Sequence, residues 1–185
     1  MKRFASFVLI SLAVVSTGCR PLTVAPVGSS RGTVCAVFFS PHGGCTDEVV
    51  RELRRAQRSV LVQAYSFTSE PIARSLLEAR QRGLDVEVIL DKSQLTERHS
   101  FAGMLARAGV PVRIDEAHAI AHNKVMVIDG QTVITGSFNF TESAEARNAE
   151  NLLVVRDDAV AAKYRDNWRA HEHHSGFYRA PKEDQ

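Results

Sequence analysis

Three short motifs stand in order in one stretch of the chain. His122, Lys124 and Asp129 fit the pattern His-x-Lys-x4-Asp, Gly136-Ser137-Phe138-Asn139 follows, and Asn148-Ala149-Glu150 completes the series. The first pattern alone is a weak signal. Three ordered pieces within the 29 positions from His122 to Glu150 are improbable as coincidence, so this stretch is the candidate catalytic site.

His122 and Lys124 have the residue types that phosphoryl transfer requires. We place His122 at the start of a strand, where side chains alternate, so both side chains are predicted to project to one face, about 6 to 7 Å apart. A neutral imidazole can attack phosphorus while an ammonium neutralises the growing charge on the non-bridging oxygens. Because Lys124 supplies the charge that Mg²⁺ provides in many nucleases, we expect neither metal nor other cofactor.

Three further polar residues are assigned to this site. Ser137 and Asn139 are two apart, and the hairpin is expected to bring one of them, preferably Asn139, beside Lys124 to bind phosphate oxygens. Glu150 suits a carboxylate that accepts one imidazole N–H of His122 and so fixes its tautomer. The alternative for Glu150 is an exposed carboxylate at a strand end.

Asp129 and Gly136 are assigned to the structural part of the motif. The dipeptide Asp129-Gly130 is a strong hairpin signal, because Asp tolerates positive φ and hydrogen-bonds the nearby backbone. We therefore interpret Asp129 as structural rather than catalytic.

The other histidines give no predicted metal site. His171-x-His173-His174 is interpreted as the polar end of a helix. His42, His99 and His118 have no partner that the sequence identifies.

Hydrophobic periodicity predicts alternating strands and helices. Strands are predicted over residues 34–39, 59–67, 86–90, 110–114, 124–128, 132–135 and 151–155, and helices over 46–57, 70–82, 99–108 and 157–172. Alternation of this kind predicts an α/β fold, a mixed β-sheet flanked by helices on both faces.

The first 18 residues are typical of a secretory signal peptide. Met1-Lys2-Arg3 precedes an apolar run over residues 4–15, which is too short to span a bilayer, and Cys19 follows a small-residue pair. This resembles a lipoprotein cleavage box, with Cys19 as the lipidation site and membrane attachment point, although Ser16 stands where Leu is usual. We expect export to the periplasm or envelope, with simple secretion as the alternative.

The remainder divides into a tether, a domain and a tail. Residues 19–32 carry Pro, Ser and Gly without periodicity and are predicted to form the tether. Residues 33–178 are the predicted catalytic domain, and 179–185 a polar C-terminal tail.

Export would change both the number of available cysteines and the net charge of the mature chain. Loss of Cys19 to a lipid leaves Cys35 and Cys45, predicted to form a disulfide in an oxidising compartment, with two free thiols as the alternative. Removal of Lys2 and Arg3 takes the formal net charge from +2 to zero. Nucleic-acid attraction would then need local clusters, and the one at Arg51, Arg54, Arg55 and Arg58 is more typical of a solvated helix face.

The motifs, together with residues 39–41, 63–69 and 91–93, resemble the phospholipase D superfamily, in the style of its small single-motif bacterial endonucleases. The resemblance covers most of the chain after the tether. It implies the nuclease-like α-β-α sandwich of that superfamily and a metal-independent phosphodiesterase that forms a phosphohistidine at His122, with Asp129 not the nucleophile.

The resemblance also implies partners. Superfamily sites use two facing motifs, so a chain with one motif is expected to form a homodimer that shares one active site. The expected substrate is DNA or RNA. Phospholipid headgroup hydrolysis is the alternative, and a non-catalytic envelope protein is a third possibility.

Overall fold

The computed structural model describes residues 34–179. The predicted signal peptide, Cys19, the tether and all but the first residue of the predicted tail lie outside the described residues. No helix between residues 34 and 179 is long and apolar enough to cross a membrane.

Eight strands and five helices alternate along this part of the chain. In order they are β1 (Val34–Ser40), α1 (Cys45–Arg55), β2 (Ser59–Ala64), α2 (Glu70–Gln81), β3 (Asp85–Asp91), α3 (Ala102–Arg107), β4 (Val112–Asp115), β5 (Lys124–Ile128), β6 (Thr132–Gly136), α4 (Glu142–Ala146), β7 (Glu150–Arg156), α5 (Asp158–His174) and β8 (Gly176–Phe177), with a 3₁₀ turn at Lys92–Leu95 after β3.

All eight strands belong to one mixed sheet in the order β1-β7-β6-β5-β2-β3-β4-β8. The β2, β3 and β4 strands are parallel, as expected for strands joined by helical crossovers. The other pairings are antiparallel. β5 and β2 are therefore the two central strands.

Helices cover both faces of the sheet, which confirms the predicted α/β architecture. On one face Val62 and Met126 join a core with the apolar sides of α1, α2 and α3. On the other, Leu61 and Val127 pack against α5, where Trp168 is buried and its Nε1 donates to the Val62 carbonyl over 2.8 Å. The alternation of β2 and β5 side chains produces these two cores.

The β5–β6 connection is the predicted hairpin. Asp129 and Gly130 both have positive φ, 55° and 70°, as a primed turn requires. The Asp129 carboxylate accepts hydrogen bonds from the backbone N–H groups of Gln57, Arg58 and Ser59, at 2.7 to 3.0 Å. It thereby joins the hairpin to the connection between α1 and β2.

Position 136 must be glycine, because β6 and β7 approach each other closely there. Its φ is 143°, and a Cβ built there would lie 2.3 Å from the Asn151 carbonyl oxygen. A side chain at this position is therefore incompatible with the pairing of β6 and β7.

The predicted disulfide between Cys35 and Cys45 is wrong for this structure, in which both are free cysteines. Cys35 is near the start of β1 and Cys45 begins α1. The charge of Glu150 helps to raise the pKa of the Cys45 thiol, and Glu150 pairs with Ser40, so Cys45 lies near the Ser40 end of β1. Five residues of extended strand, about 16 Å, separate that end from Cys35. A disulfide allows Cα atoms to be at most about 7 Å apart.

Several differences from prediction affect the site. β5 spans Lys124–Ile128 as predicted, but His122, which was placed at the start of a strand, lies in the extended segment before it. β2 ends at Ala64 rather than at position 67. The short helix α4 was not predicted. Its Glu145 carboxylate accepts hydrogen bonds from the N–H groups of Gly44 and Thr46 at the start of α1.

Candidate active site

His122 and Lys124 lie together at one end of the two central strands. The Tyr65 N–H donates to the Asn123 carbonyl over 2.9 Å, which continues the pairing of β2 and β5 beyond Ala64 and Lys124. This hydrogen bond fixes the extended segment that carries His122 against the end of β2.

Tyr65 holds the histidine and the lysine on one side of this segment. Its ring centroid is 4.6 Å from that of His122 and 5.0 Å from the Lys124 Nζ. The Lys124 Nζ also donates to the His122 carbonyl over 2.8 Å. The sequence analysis included Tyr65 in the resembling segment 63–69 but gave it no role, because the predicted strand continued through it to position 67.

The two chemical groups differ in exposure. His122 is exposed to solvent, whereas Lys124 is only 6% exposed. Burial lowers the pKa of Lys124, and the negative charge of Glu150 opposes part of that lowering. The arrangement presents a solvent-accessible imidazole beside a cation whose field is little screened by water.

Glu150 begins β7, and its position is set by two polar neighbours. Its backbone N–H donates to the Ser40 Oγ, and its Oε1 accepts from the Asn148 Nδ2, both over 3.1 Å. The expected hydrogen bond from the His122 ring to Glu150 is not formed within residues 34–179. In a single chain, Glu150 instead acts on Lys124 through its charge.

Ser137 and Asn139 differ in accessibility. Ser137 is exposed, and its Oγ accepts from the backbone N–H and the side-chain amide of Asn151, at 3.1 and 3.3 Å. The Asn139 Oδ1 is buried without a hydrogen-bond partner in the described chain. Neither side chain forms a hydrogen bond with Lys124 in this part of the protein.

The surroundings of the site are open and mostly polar. Ser137, Asn148 and Asn151 are exposed around Glu150. Two large apolar side chains are also exposed, one close to His122 in the sequence and one close to Glu150 in the sheet. Ile120 is two residues before His122, and Phe39 pairs with Asn151 between β1 and β7.

The arginine cluster of α1 lies away from this site. Arg51 and Arg55 form ion pairs with Glu48 and Glu52 on the same helix. Arg58 donates to the Asp129 carbonyl over 2.7 Å, beyond the end of β5 opposite to Lys124. Arg51 and Arg55 are therefore paired on the surface of α1, as the charge pattern indicated, and Arg58 lies beyond the helix.

A groove of about 1290 Å³ is lined by neither His122 nor Lys124. It contains three arginines and five carboxylates, at Arg98, Arg107, Arg147, Asp47, Glu70, Glu97, Glu142 and Glu145. This excess of negative charge disfavours the groove as a route for a phosphate backbone.

A second polar cluster was not predicted. His118, for which the sequence gave no partner, contacts the buried Asp115, and so do His171 and His174. His173, between the last two, is exposed and is not a member of the cluster. The interpretation of residues 171–174 as only a polar helix end is therefore incomplete.

Comparison with known proteins places the same part of the chain in one family. Residues 49–171 match the family described as cardiolipin synthase, PLD-like domain. A phospholipase D of Rickettsia conorii is 38% identical over 158 residues, covering 85% of this chain and 78% of the relative.

Two further similarities extend this result. The mitochondrial cardiolipin hydrolase of Xenopus tropicalis is 37% identical over 116 residues, covering 63% of this chain and 55% of the relative. The crystal structure of Nuc, a phospholipase D family member from Salmonella typhimurium, has a TM-score of 0.76 and 36% identity. That match covers 80% of this chain and 99% of Nuc.

The charge of Glu150 is expected to set the alkaline limit of activity. Burial lowers the pKa of Lys124, and the negative charge of Glu150 offsets part of this lowering. Glu150→Gln removes the offset, so Lys124 loses its proton at a lower pH. The alkaline limb of the pH–rate profile for an activated aryl phosphodiester should therefore move to lower pH. Glu142→Gln, an exposed change on α4, should leave the limb in place. An unmoved or raised limb in Glu150→Gln would contradict this electrostatic role.

Proposed function

The chain belongs to the phospholipase D superfamily and is a phosphodiesterase, and we propose that its substrate is nucleic acid, DNA or RNA, cleaved without a metal in the reaction. The observation that carries the proposal is the exposed His122 imidazole beside the buried Lys124 ammonium. This pair provides a nucleophile and a fixed positive charge at one point of the surface.

The proposed reaction proceeds in two displacements. A ring nitrogen of His122 attacks phosphorus and the bond to one bridging oxygen breaks, while that oxygen takes a proton from a general acid. Water then attacks the phosphohistidine and gives its proton to the same group, now a base. The P–N bond breaks, and His122 is restored with a phosphomonoester as product. Lys124 stabilises the charge on the non-bridging oxygens in both steps.

Ser137, Asn139 and Glu150 are proposed to assist. The exposed Ser137 hydroxyl and the side-chain amide of Asn139 are suited to donate hydrogen bonds to phosphate oxygens. Glu150 supports the protonated state of Lys124 by its charge. Asp129 and Gly136 maintain the backbone that presents these groups and do not take part in the reaction.

The general acid is proposed to come from a second copy of the chain. One chain has one His-x-Lys motif, and the predicted contact of His122 with Glu150 is not made within it. The exposed Phe39 and Ile120 near the site offer apolar surface that an interface would cover. A twofold dimer would then place two His122 rings at one shared site, one as nucleophile and one as acid and base.

The polar surroundings favour nucleic acid over lipid. Ser137, Asn148 and Asn151 suit a sugar–phosphate chain passing over an open site. Phospholipid remains the second candidate, favoured by the exposed Phe39 and Ile120 and by the names of the Rickettsia and Xenopus relatives.

A substrate panel distinguishes these candidates. Plasmid DNA, single-stranded DNA, RNA and phosphatidylcholine vesicles are each incubated with the protein in EDTA and, in parallel, without a chelator. We expect cleavage of nucleic acid, reduced roughly 10³-fold or more by His122→Asn because the nucleophile is lost, and unchanged by His99→Asn on the exposed surface. Turnover of the phospholipid alone would select the second candidate, and activity on none of the four would oppose both.

The shared site predicts a non-linear response to mixing. When wild-type and His122→Asn chains are co-refolded in equal amounts, random pairing leaves about one quarter of the dimers with both histidines. Activity should fall to about one quarter of that of the same total amount of wild-type protein, with the His99→Asn mixture as control. Activity of one half, or an active monomer in light scattering, would show that each chain works alone.

A further inference from the structure

The cluster around Asp115 joins two segments that are far apart in the sequence. Asp115 ends β4, and His118 follows in the connection to β5. His171 and His174 occupy the last turn of α5, three positions apart and therefore on one face. None of these four residues takes part in the proposed phosphodiester chemistry.

Three imidazole rings converge on a single carboxylate oxygen. The Asp115 Oδ2 is 3.0 Å from the His118 Nδ1, 2.8 Å from the His171 Nδ1 and 3.3 Å from the His174 Nε2. The centroids of the three rings are 4.9, 5.1 and 5.2 Å apart in pairs. They form a nearly equilateral triangle around the carboxylate.

The carboxylate is the common partner of all three rings. The His118 Nδ1 lies between its two oxygens, 3.1 Å from Oδ1 and 3.0 Å from Oδ2, while His171 and His174 contact Oδ2. The side chain of Asp115 has no solvent exposure, whereas those of His171, His174 and His118 are 15%, 37% and 46% exposed. The three imidazoles therefore cover the carboxylate, and water reaches the cluster from the histidine side.

We propose that Asp115, His118, His171 and His174 form a metal site for a divalent transition-metal ion, with zinc as the ion it fits best. Four ligand atoms, one from each residue, all lie within 4.8 Å of one another. Tetrahedral zinc with bonds of about 2.1 Å places its ligand atoms about 3.4 Å apart, so small side-chain rotations complete the shell. Three imidazole nitrogens and one carboxylate oxygen suit zinc and disfavour Mg²⁺ and Ca²⁺, which prefer oxygen ligands.

The ion would anchor the segment that leads to the nucleophile. Residues 116–121 connect Asp115 to His122, and the end of β3 and the 3₁₀ turn that follows it already hold them. The Ala121 N–H donates to the Asp91 carboxylate over 2.7 Å, and the Lys92 Nζ donates to the His118 carbonyl over 3.0 Å. Zinc would join this segment to the end of α5. Its role is structural, and the proposal does not depend on the substrate of the enzyme.

The test is direct metal binding by the untagged full chain, because a histidine tag would itself bind zinc. Protein freed of metal with a chelator is dialysed and titrated with Zn²⁺ alone, and bound metal is measured by mass spectrometry. We expect one zinc per chain and a higher Tm when zinc is bound. Co²⁺ in place of zinc should give the intense visible absorption of a tetrahedral centre.

His118→Ala and His174→Ala are the diagnostic variants, because both side chains are partly exposed and their truncation is compatible with folding. Each should lose stoichiometric zinc and the Tm increase while keeping the circular dichroism of the wild type. His173→Ala, on the same helical turn but outside the cluster, should bind zinc like the wild type. Absence of saturable binding to the wild type, or equal binding by all four proteins, would overturn the proposal.

Discussion

The buried ammonium of Lys124 is the constraint on which the candidate site depends. A charge removed from water is costly unless other groups compensate it. Lys124 at the start of β5 has three such groups, namely the His122 carbonyl, the face of the Tyr65 ring and the carboxylate of Glu150. The same contacts that permit the burial of Lys124 also position the imidazole of His122 beside it. One set of contacts thus stabilises the Lys124 cation and sets the geometry of the His122 nucleophile.

The fold provides this arrangement by bringing the ends of three strands together at one end of the sheet. β2 contributes Tyr65 just beyond its last residue, β5 contributes Lys124, and β7 contributes Glu150. These strands are buried on both faces, by Trp168 of α5 on one face and by the helices α1, α2 and α3 on the other. A sheet packed on both sides leaves little freedom for the strand ends, and this rigidity favours a site that works by fixed charge.

The sequence predicted features that depend on local pattern. Alternating apolar residues identified the strands, and Asp129-Gly130 identified the hairpin, because positive φ has few sequence solutions. The residue types at positions 122 and 124 indicated phosphoryl transfer, although His122 proved to precede β5. The disulfide prediction failed because cysteine count carries no distance, and β1 separates Cys35 from Cys45.

The sequence could not predict features that depend on which distant segments lie next to each other in the fold. Tyr65 becomes part of the site only through the register of β2 with β5, and the contact of His118 with His171 joins residues 53 positions apart. The expected hydrogen bond between His122 and Glu150 followed chemical plausibility, but Glu150 is instead bound to Asn148 in the single chain. Pairing and burial therefore decided which polar residues of the sequence form the site.

Covalent trapping tests the central claim, that His122 is the nucleophile, most directly. Protein mixed with a labelled phosphodiester substrate is denatured in alkali within one turnover, and its peptides are analysed by mass spectrometry. We predict a phosphoryl adduct, labile to acid, on the peptide that contains His122. A protein that turns over the substrate without such an adduct, or with the adduct on another residue, would contradict the account.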